Sequence, residues 1–271
     1  MSTLRLTLRE PPAQRVDLSP LSADHLAGKT PAQVAAIELA TGNRKIRVDD
    51  LFTIAGDFGS ELEIRGGCEK LDRIGAGMTH GHVIVRGDAG AYVGAGMRGG
   101  VVEVHGSVGA RAACAMRGGV LHVTADAGDF LASALAGERR GMRGGTVVVG
   151  GNAGDRVGDR MRRGMVLIEG DAGDYCASRM VAGTIAVAGR VGGFPGLAMR
   201  RGTLLLLQPP AALVATFNDC GEHPNLFLTL LVRSWRTLPG RFGTLPDGRL
   251  RARRYMGDLG NDGRGEILVW V

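Results

Sequence analysis

Short segments of alternating apolar and polar residues recur along the middle of the chain. In each segment the second and fourth residues are aliphatic, so their side chains lie on one face of an extended strand. These aliphatic pairs are Val83 and Val85, Val102 and Val104, Leu121 and Val123, Val147 and Val149, Val166 and Ile168, and Ile185 and Val187. A turn that closes on glycine follows each segment. The pattern predicts a series of short strands, each with one buried face.

A methionine with a glycine three residues later marks the period of this pattern. The methionines are Met78, Met97, Met116, Met142, Met161, Met180 and Met199, at successive spacings of 19, 19, 26, 19, 19 and 19 residues. The long spacing contains a seven-residue insertion near residues 137–141. A 19-residue unit with two strands, glycine corners and no helical period is typical of one coil of a parallel β-helix. Leucine-rich repeats and calcium-binding nonapeptide repeats fit less well, because their sequence frames are lacking.

The fold is therefore predicted to be dominated by β-structure: a right-handed parallel β-helix of about seven coils, with the methionines stacked in its core. We expect three parts, namely an N-terminal cap (1–60), the β-helix (61–208), and a C-terminal cap and partner-binding segment (209–271). Both ends of such a stack expose unpaired strands and need covers.

Each cap is predicted to contain a helix. In the N-terminal cap, Thr30 and Gln33 form a capping-box pattern, Pro31 occupies the first helical position, and Gly42 marks the predicted end. In the C-terminal cap, one helical face is predicted to pack on the stack or to meet a partner. Its residues are Phe227, Leu230, Leu231, Ser234 and Trp235.

Composition agrees with a repeat protein of the cytoplasm. Glycine accounts for 45 of 271 residues, about 17% against roughly 7% in an ordinary protein, and the repeat explains most of this excess. The four cysteines, Cys68, Cys114, Cys176 and Cys220, form no CxxC pair, which argues against zinc, iron-sulfur and disulfide frameworks. No secretory leader and no apolar run of about 18 residues is present, so we expect no membrane partner.

The residue after each methionine suggests a binding surface. These residues are Thr79, Arg98, Arg117, Arg143, Arg162, Val181 and Arg200, and Arg163 and Arg201 follow two of them. If the repeats stack in register, the arginines form a row whose mutual repulsion an anionic ligand or partner would relieve. Solvent screening, or pairing with Asp129, Asp155 and Asp174, is the alternative explanation. Nucleic acid is not expected, because no aromatic residues are interleaved with the row.

A second predicted column alternates cations and rings along another corner. Its members are Arg73, Tyr92, Arg111, Phe130, Arg156, Tyr175 and Phe194. Stacked cation-π pairs of this kind would hold neighbouring repeats together. The six histidines have no metal-ligand spacing, and the Gly-x-Gly pairs follow the repeat period without a following helix, so we predict no catalytic residue and no metal site.

Two resemblances to known families accompany this pattern. The repeat GDAGAYVGAGMRGGVVEV resembles the Gly-x-Gly-x-Gly β-helix domain of large glutamate synthase chains. Nearly the whole chain resembles the C subunit of the formylmethanofuran dehydrogenase family, through LSADHLAGKTPAQVAAIELATGNRKIRVDDLFTIAGD, the repeats, and RRYMGDLGNDGRGEILV. The most specific part is Arg254-Tyr255-x-Gly257-Asp258 followed by Gly265-Glu266-Ile267-Leu268.

The second resemblance implies a non-catalytic scaffold subunit of an enzyme complex in one-carbon metabolism. The favoured branch is the bacterial formyltransferase/hydrolase, which transfers a formyl group from tetrahydromethanopterin to a methanofuran-type cofactor and hydrolyses it to formate. The implied partners are an amidohydrolase-like hydrolase, a B-type subunit and a formyltransferase. The implied cofactor, of the methanofuran or methylofuran type, has a polyglutamyl tail. The arginine row (Arg98, Arg117, Arg143, Arg162, Arg163, Arg200 and Arg201) would suit that tail or an acidic partner face.

Two alternatives follow from the same resemblances. The first is the C subunit of the tungsten or molybdenum formylmethanofuran dehydrogenase, and the second is a glutamate synthase-like spacer domain. The bacterial branch is preferred to the first because 30 arginines against three lysines suggest a GC-rich genome.

Overall fold

The computed structural model describes residues 3–246, 248 and 250–271. The elements before the repeats are β1 (Thr3–Leu8), β2 (Val16–Asp17), α1 (Ala23–Leu26), α2 (Pro31–Ala35), β3 (Glu38–Thr41), β4 (Arg44–Arg47), α3 (Val48–Leu51) and β5 (Phe52–Ala55). β1 pairs in parallel with β6 (Glu61–Gly67), the strand of the first repeat, and antiparallel with β5. These two strands therefore extend the sheet of the repeats at its N-terminal end.

The N-terminal helix is shorter than the sequence predicts. Its capping box is present, since Thr30 Oγ1 accepts a hydrogen bond from the Gln33 amide and Gln33 Oε1 accepts one from the Thr30 amide. The prediction that the helix continues to Gly42 is wrong, because β3 and β4 form a hairpin there, with Gly42 at φ +58° in its turn. Leu39 is buried between exposed neighbours, which is strand alternation rather than a helical face.

The repeats stack in parallel and in register. After β6 come β7 (Leu71–Asp72), which pairs with β2, and seven further strands. These are β8 (His82–Gly87), β9 (Val101–His105), β10 (Arg117–Val123), β11 (Arg143–Val149), β12 (Arg163–Ile168), β13 (Thr184–Val187) and β14 (Arg201–Leu206). Equivalent residues of successive repeats face each other, as Val83, Val102 and Leu121 do. The aliphatic pairs predicted to face inward are all fully buried.

A second line of parallel bridges runs through the turn that follows each strand. It connects Ala89, Val108, Ala127, Ala153, Ala172 and Val191 in that order. The seven methionines of the repeat are fully buried, which confirms their predicted place in the core. Mostly β-structure is confirmed, and in the described part of the chain thirteen strands form one sheet.

The contact between methionine and glycine explains the Met-x-x-Gly spacing. A Cβ atom on Gly119 would lie 2.5 Å from the Met97 Cε of the preceding repeat, and one on Gly100 would lie 2.8 Å from Met78 Cε. Both glycines have positive φ, +85° and +80°. The glycine therefore provides space for the methionine of its neighbour and adopts a backbone conformation that other residues avoid.

The C-terminal elements continue the sheet and cover part of its outer face. They are β15 (Asn218–Pro224), α4 (Leu226–Ser234), a 3₁₀ turn (Arg241–Thr244), β16 (Arg251–Gly257) and β17 (Arg264–Trp270). β17 pairs in parallel with β14, and β16 and β15 then add antiparallel. A second core forms where α4 meets the outer sheet face, with Leu228, Val232 and Trp235 against Leu167 and Leu205.

The side of α4 that meets the sheet differs from the predicted face. Of the predicted residues, Trp235 is buried and Leu231 is partly buried, but Phe227 and Leu230 point outward. Helical periodicity predicts which apolar residues share a face, but it does not predict which of two apolar faces contacts the sheet. The face beginning at Leu228 is the one that packs on the sheet.

Asp258 closes the open C-terminal end of the stack. Within the stack, the amide just before each methionine donates to a carbonyl of the next repeat, as Arg179 N does to Leu197 O at 2.8 Å. In the last repeat, Ala198 N donates instead to Asp258 Oδ2 at 3.0 Å, and Asp258 N donates to Met199 O. A carboxylate thus takes the place of a missing carbonyl, which satisfies a partly buried donor.

Candidate functional site

The arginines of the predicted row lie in one column. Each amide donates to the methionine carbonyl of the preceding repeat over 2.6 to 2.8 Å. We call Arg98, Arg117, Arg143, Arg162 and Arg200 the arginine column. Val181 occupies the same position between Arg162 and Arg200. Four of the five arginines are exposed and Arg143 is half-buried.

The two further arginines named from the sequence lie beside the column. Arg163 faces Arg143 across the β11–β12 pair, and Arg201 faces Arg264 across the β14–β17 pair. The sequence analysis did not predict Arg264. It lies beside Arg201 on β17, a strand that occupies the position of the next repeat. A signal was present, because Arg264-Gly265 aligns with Arg201-Gly202 in a strand of the same pattern.

The gap at Val181 forms the floor of an open cleft of about 580 Å³. We call it the arginine cleft; it is lined by Arg143, Arg162, Arg163, Val181, Ala182, Arg200, Arg201 and Asp262. The short side chains of Val181 and Ala182 leave space between arginines on either side. The valine therefore divides the column and creates a concave, strongly basic site.

Few carboxylates neutralise these arginines. Asp262 accepts hydrogen bonds from Arg200 Nη2 at 2.7 Å and Nε at 3.1 Å, and Arg143 lies 3.9 Å from Glu138. The Arg200 guanidinium holds the pKa of the Asp262 carboxyl below its usual range. Within the described residues, the other arginines of the column and its neighbours have no carboxylate within 4.0 Å. These are Arg98, Arg117, Arg162, Arg163 and Arg201.

A buried donor in the arginine cleft also lacks a partner. The Nε of Arg143 is buried and has no hydrogen-bond acceptor in the described structure. An unsatisfied buried donor costs about 1–3 kcal/mol, more for a charged group. Planar guanidinium groups bind carboxylates through two parallel hydrogen bonds. The donor set thus fits a ligand with several carboxylates.

The aspartates considered as partners of the row serve another purpose. Asp129 Oδ1 accepts from the Asp155 amide, Asp155 Oδ1 from the Asp174 amide, and Asp174 Oδ1 from the Gly193 amide, over 2.7 to 2.9 Å. Each carboxylate joins its own turn to the next repeat. The aspartates therefore do not neutralise the positive charge of the arginine column.

The predicted column of cations and rings is confirmed as a contact between repeats. The guanidinium carbons of Arg73, Arg111 and Arg156 lie 5.1, 4.5 and 4.6 Å from the ring centroids of Tyr92, Phe130 and Tyr175, respectively. At the end of the column, Tyr175 and Phe194 stack ring on ring at 5.3 Å. These contacts stabilise the stack and indicate no ligand.

Outside the arginine cleft, the described titratable groups provide neither a metal site nor an activated buried thiol. No three His, Cys, Asp or Glu side chains in residues 3–246, 248 and 250–271 are arranged to hold a metal ion. Burial raises the pKa of the Cys114 thiol to about 11 and that of Cys176 to about 12, so neither is a thiolate nucleophile at neutral pH. Among the described helices, none has the length and apolar character needed to cross a membrane.

Comparison with curated proteins finds sequence likeness over a limited span. The C subunit of the formyltransferase/hydrolase complex Fhc from Methylorubrum extorquens is 41% identical over 90 residues, 33% of each chain. The C subunit of the tungsten-containing formylmethanofuran dehydrogenase 2 from Methanothermobacter wolfeii is 33% identical over 98 residues, 34% of this chain and 36% of the relative. The alignments thus span about a third of these curated relatives. No family model matches the chain.

A solved structure extends the likeness to nearly the full chain. It is the crystal structure of the formyltransferase/hydrolase complex FhcABCD from Methylorubrum extorquens in complex with methylofuran. One of its chains is 40% identical to this one with a TM-score of 0.91, and the match covers 98% of both chains. At that identity and coverage, and with C subunits as the matching curated relatives, the chain belongs to the family of C subunits of formyltransferase/hydrolase complexes and formylmethanofuran dehydrogenases.

Proposed function

We propose that this chain is the non-catalytic scaffold of a formyltransferase/hydrolase complex, the counterpart of its C subunit. Such a complex transfers a formyl group from tetrahydromethanopterin to a methanofuran-type cofactor and releases formate by hydrolysis. The observation that carries the proposal is the 40% identity over 98% of both chains to a member of the FhcABCD complex. The partners are then the other three chains of such a complex: an amidohydrolase-like hydrolase, a B-type subunit and a formyltransferase.

The second candidate is the C subunit of a tungsten or molybdenum formylmethanofuran dehydrogenase. Tungsten-containing relatives from methanogens are 29 to 35% identical over about a third of the chain, against 41% for the formyltransferase/hydrolase relative. The higher identity favours the formyltransferase/hydrolase branch. The glutamate synthase-like spacer domain is the less favoured alternative, because the likeness to a chain of the FhcABCD complex covers nearly the whole sequence.

The arginine column and cleft would hold the polyglutamyl tail of the cofactor. When bound, the cofactor carries the formyl group, while this chain supplies only binding. The fit rests on three features of the described residues: guanidinium groups without carboxylate partners, the unsatisfied Arg143 Nε, and the space above Val181. Repeats about 4.8 Å apart present these groups along a line, which suits a chain of carboxylates.

The architecture proposed for this role is a right-handed parallel β-helix of about seven coils (61–208) between caps at 1–60 and 209–271. The in-register strands, the second line of bridges and the stacked methionines support it. We also place the protein in the cytoplasm. The four unpaired cysteines, two of them buried, support a reducing compartment.

Purification of the chain from its native source tests the proposed function. We expect it to co-elute with the hydrolase, the B-type subunit and the formyltransferase, in a complex that contains methylofuran but no tungsten, molybdenum or iron-sulfur centre. Mass spectrometry of the co-eluting chains and elemental analysis provide the measurement. A tungsten- or molybdenum-containing partner would support the second candidate, and recovery as a lone monomer would contradict both.

Charge removal in the cleft tests the proposed site. In the assembled complex, we expect Arg162→Gln with Arg163→Gln to lower retained cofactor at least tenfold after a wash in 0.3 M salt, because two guanidinium groups are lost. Released cofactor is measured by mass spectrometry. Arg44→Gln with Arg190→Gln removes the same charge from exposed positions outside the cleft and should leave retention unchanged. Unchanged retention in the cleft variant, with intact assembly, would disprove the site.

A further inference from the structure

Helix α4 has two apolar faces, of which only one is used by the described fold. Leu228, Val232 and Trp235 are buried on the outer face of the sheet, and Trp235 Nε1 donates to Met165 Sδ at 2.7 Å. The Phe242 ring packs against Trp235 with centroids 5.3 Å apart. The helix is therefore fixed on the sheet, and its other side faces away from the molecule.

The outward face carries a contiguous apolar patch. Leu226, Phe227 and Leu230 are 74, 47 and 55% exposed. Leu230 is four residues from Leu226 and three from Phe227, so it neighbours both on the outward side of the helix. Among the described residues, only three other large apolar side chains are this exposed, and they are far apart in sequence: Phe194, Leu259 and Val271. Single exposed apolar residues are ordinary, but a group of three large ones marks a contact surface.

The surroundings of this patch are basic. A groove of about 770 Å³ begins at Leu226 and is lined by Pro224, Asn225, Thr229, Arg233, Gly248, Leu250 and Arg251. Its charged lining residues are two arginines, and no described Asp or Glu lines it. Arg251 is exposed and has no carboxylate within 4.0 Å among the described residues. An occupant of this surface would combine apolar side chains with carboxylates.

We propose that the outward face of α4, with Leu226, Phe227 and Leu230 and the adjoining groove, is the docking surface for another subunit of the complex, through a segment whose apolar residues are bordered by Asp or Glu. This proposal rests on the proposed function, because it requires the complex. A second copy of this chain is a poorer occupant, since a twofold contact would place the same patch, and so arginine against arginine, across the interface.

Co-expression with the hydrolase, the B-type subunit and the formyltransferase tests the proposal. The test variant is Phe227→Ser with Leu230→Ser, and the control is Leu259→Ser, which removes an equally exposed apolar side chain far from α4 in sequence. Both variants should fold, because the replaced side chains point into solvent, and thermal unfolding checks this. We expect the test variant to recover at least tenfold less of the partner subunits and the control to recover wild-type amounts.

A charge variant tests the chemistry of the occupant. Arg251→Glu should weaken assembly several-fold, and the effect should diminish at 0.5 M salt because charges near the surface are screened. No effect of this variant would contradict an acidic partner.

Further outcomes separate the proposal from its alternatives. Wild-type recovery of partners by the Phe227 and Leu230 variant would overturn it while the proposed function stands, whereas failure of the wild-type chain to assemble would refute the proposed function itself. If the wild-type chain alone forms dimers by light scattering and the variant does not, the patch is a self-contact. If the wild-type chain alone co-floats with vesicles of phosphatidylglycerol and phosphatidylcholine in a density gradient and the variant does not, the patch binds lipid. Either result also overturns the proposal.

Discussion

The substitution Gly119→Ala tests the physical basis of the repeat. The φ of +85° at this position lies beyond the range of +53° to +64° in which alanine, arginine and aromatic residues occur at other corners of the stack. A new Cβ would also lie 2.5 Å from Met97 Cε and 2.7 Å from the Gly100 carbonyl oxygen. The substitution is therefore unfavourable for two reasons: the backbone conformation suits only glycine, and the added methyl group overlaps its neighbours.

The two contributions set the expected magnitude. Left-handed backbone costs a non-glycine residue about 1–2 kcal/mol, and overpacking costs about 1–3 kcal/mol. We expect Gly119→Ala to lower the free energy of unfolding by about 2–5 kcal/mol, which lowers the midpoint of thermal unfolding by on the order of 10 °C in a chain of this size. Circular dichroism during heating provides the measurement.

A control substitution is available at a different corner of the stack. Gly96 has φ +65° and no atom within 4 Å of a new Cβ, and the equivalent position of the next repeat is already Ala115. Gly96→Ala should change stability by no more than about 1 kcal/mol, because the backbone cost is offset by reduced freedom of the unfolded chain. Equal stability of the two alanine variants would refute the reasoning. Shortening Met97 to alanine in the Gly119→Ala background should cost less than the sum of the single effects.

Three further predictions concern charges and rings. Hydrogen bonds from Arg5, Arg65 and Arg86 hold the pKa of Glu63 below its usual range, although burial acts to raise it. The stability that this carboxylate contributes is therefore present above about pH 4.3 and is lost as the pH falls through the lowered pKa. Urea unfolding of wild type and Glu63→Gln should therefore differ at pH 7, and the difference should shrink as the pH falls through the lowered pKa; a constant difference would contradict this. Asp262→Asn removes the carboxylate that lines the arginine cleft among the described residues. This change should increase retention of polyglutamate by the complex in salt washes, so weaker retention would argue against the site. Phe130→Ala removes two cation-π contacts and should cost about 1–2 kcal/mol in urea unfolding; no loss would show that this column is not stabilising.

The sequence alone determined the repeat, the strands and their inward side chains. Repeats of 19 residues stack with equivalent residues above one another. The alignment of the methionines, and with it the arginine column, therefore follows from the spacing in the sequence. The alternation of Val83 and Val85 predicts the buried face for the same reason, because strand side chains point to opposite sides. The family resemblance lay in contiguous segments and was likewise readable from the sequence.

Only the tertiary structure decided how the ends and the site are built. The end of α2 depends on the pairing of β3 with β4, and the buried face of α4 depends on which apolar side chains meet the sheet. Asp258 substitutes for a missing repeat through a contact across 60 residues of chain. Arg264 joins the basic surface, and Asp262 pairs with Arg200, because β17 lies where the next repeat would be. Periodicity predicts contacts between equivalent positions, but contacts between segments without a period depend on packing in three dimensions.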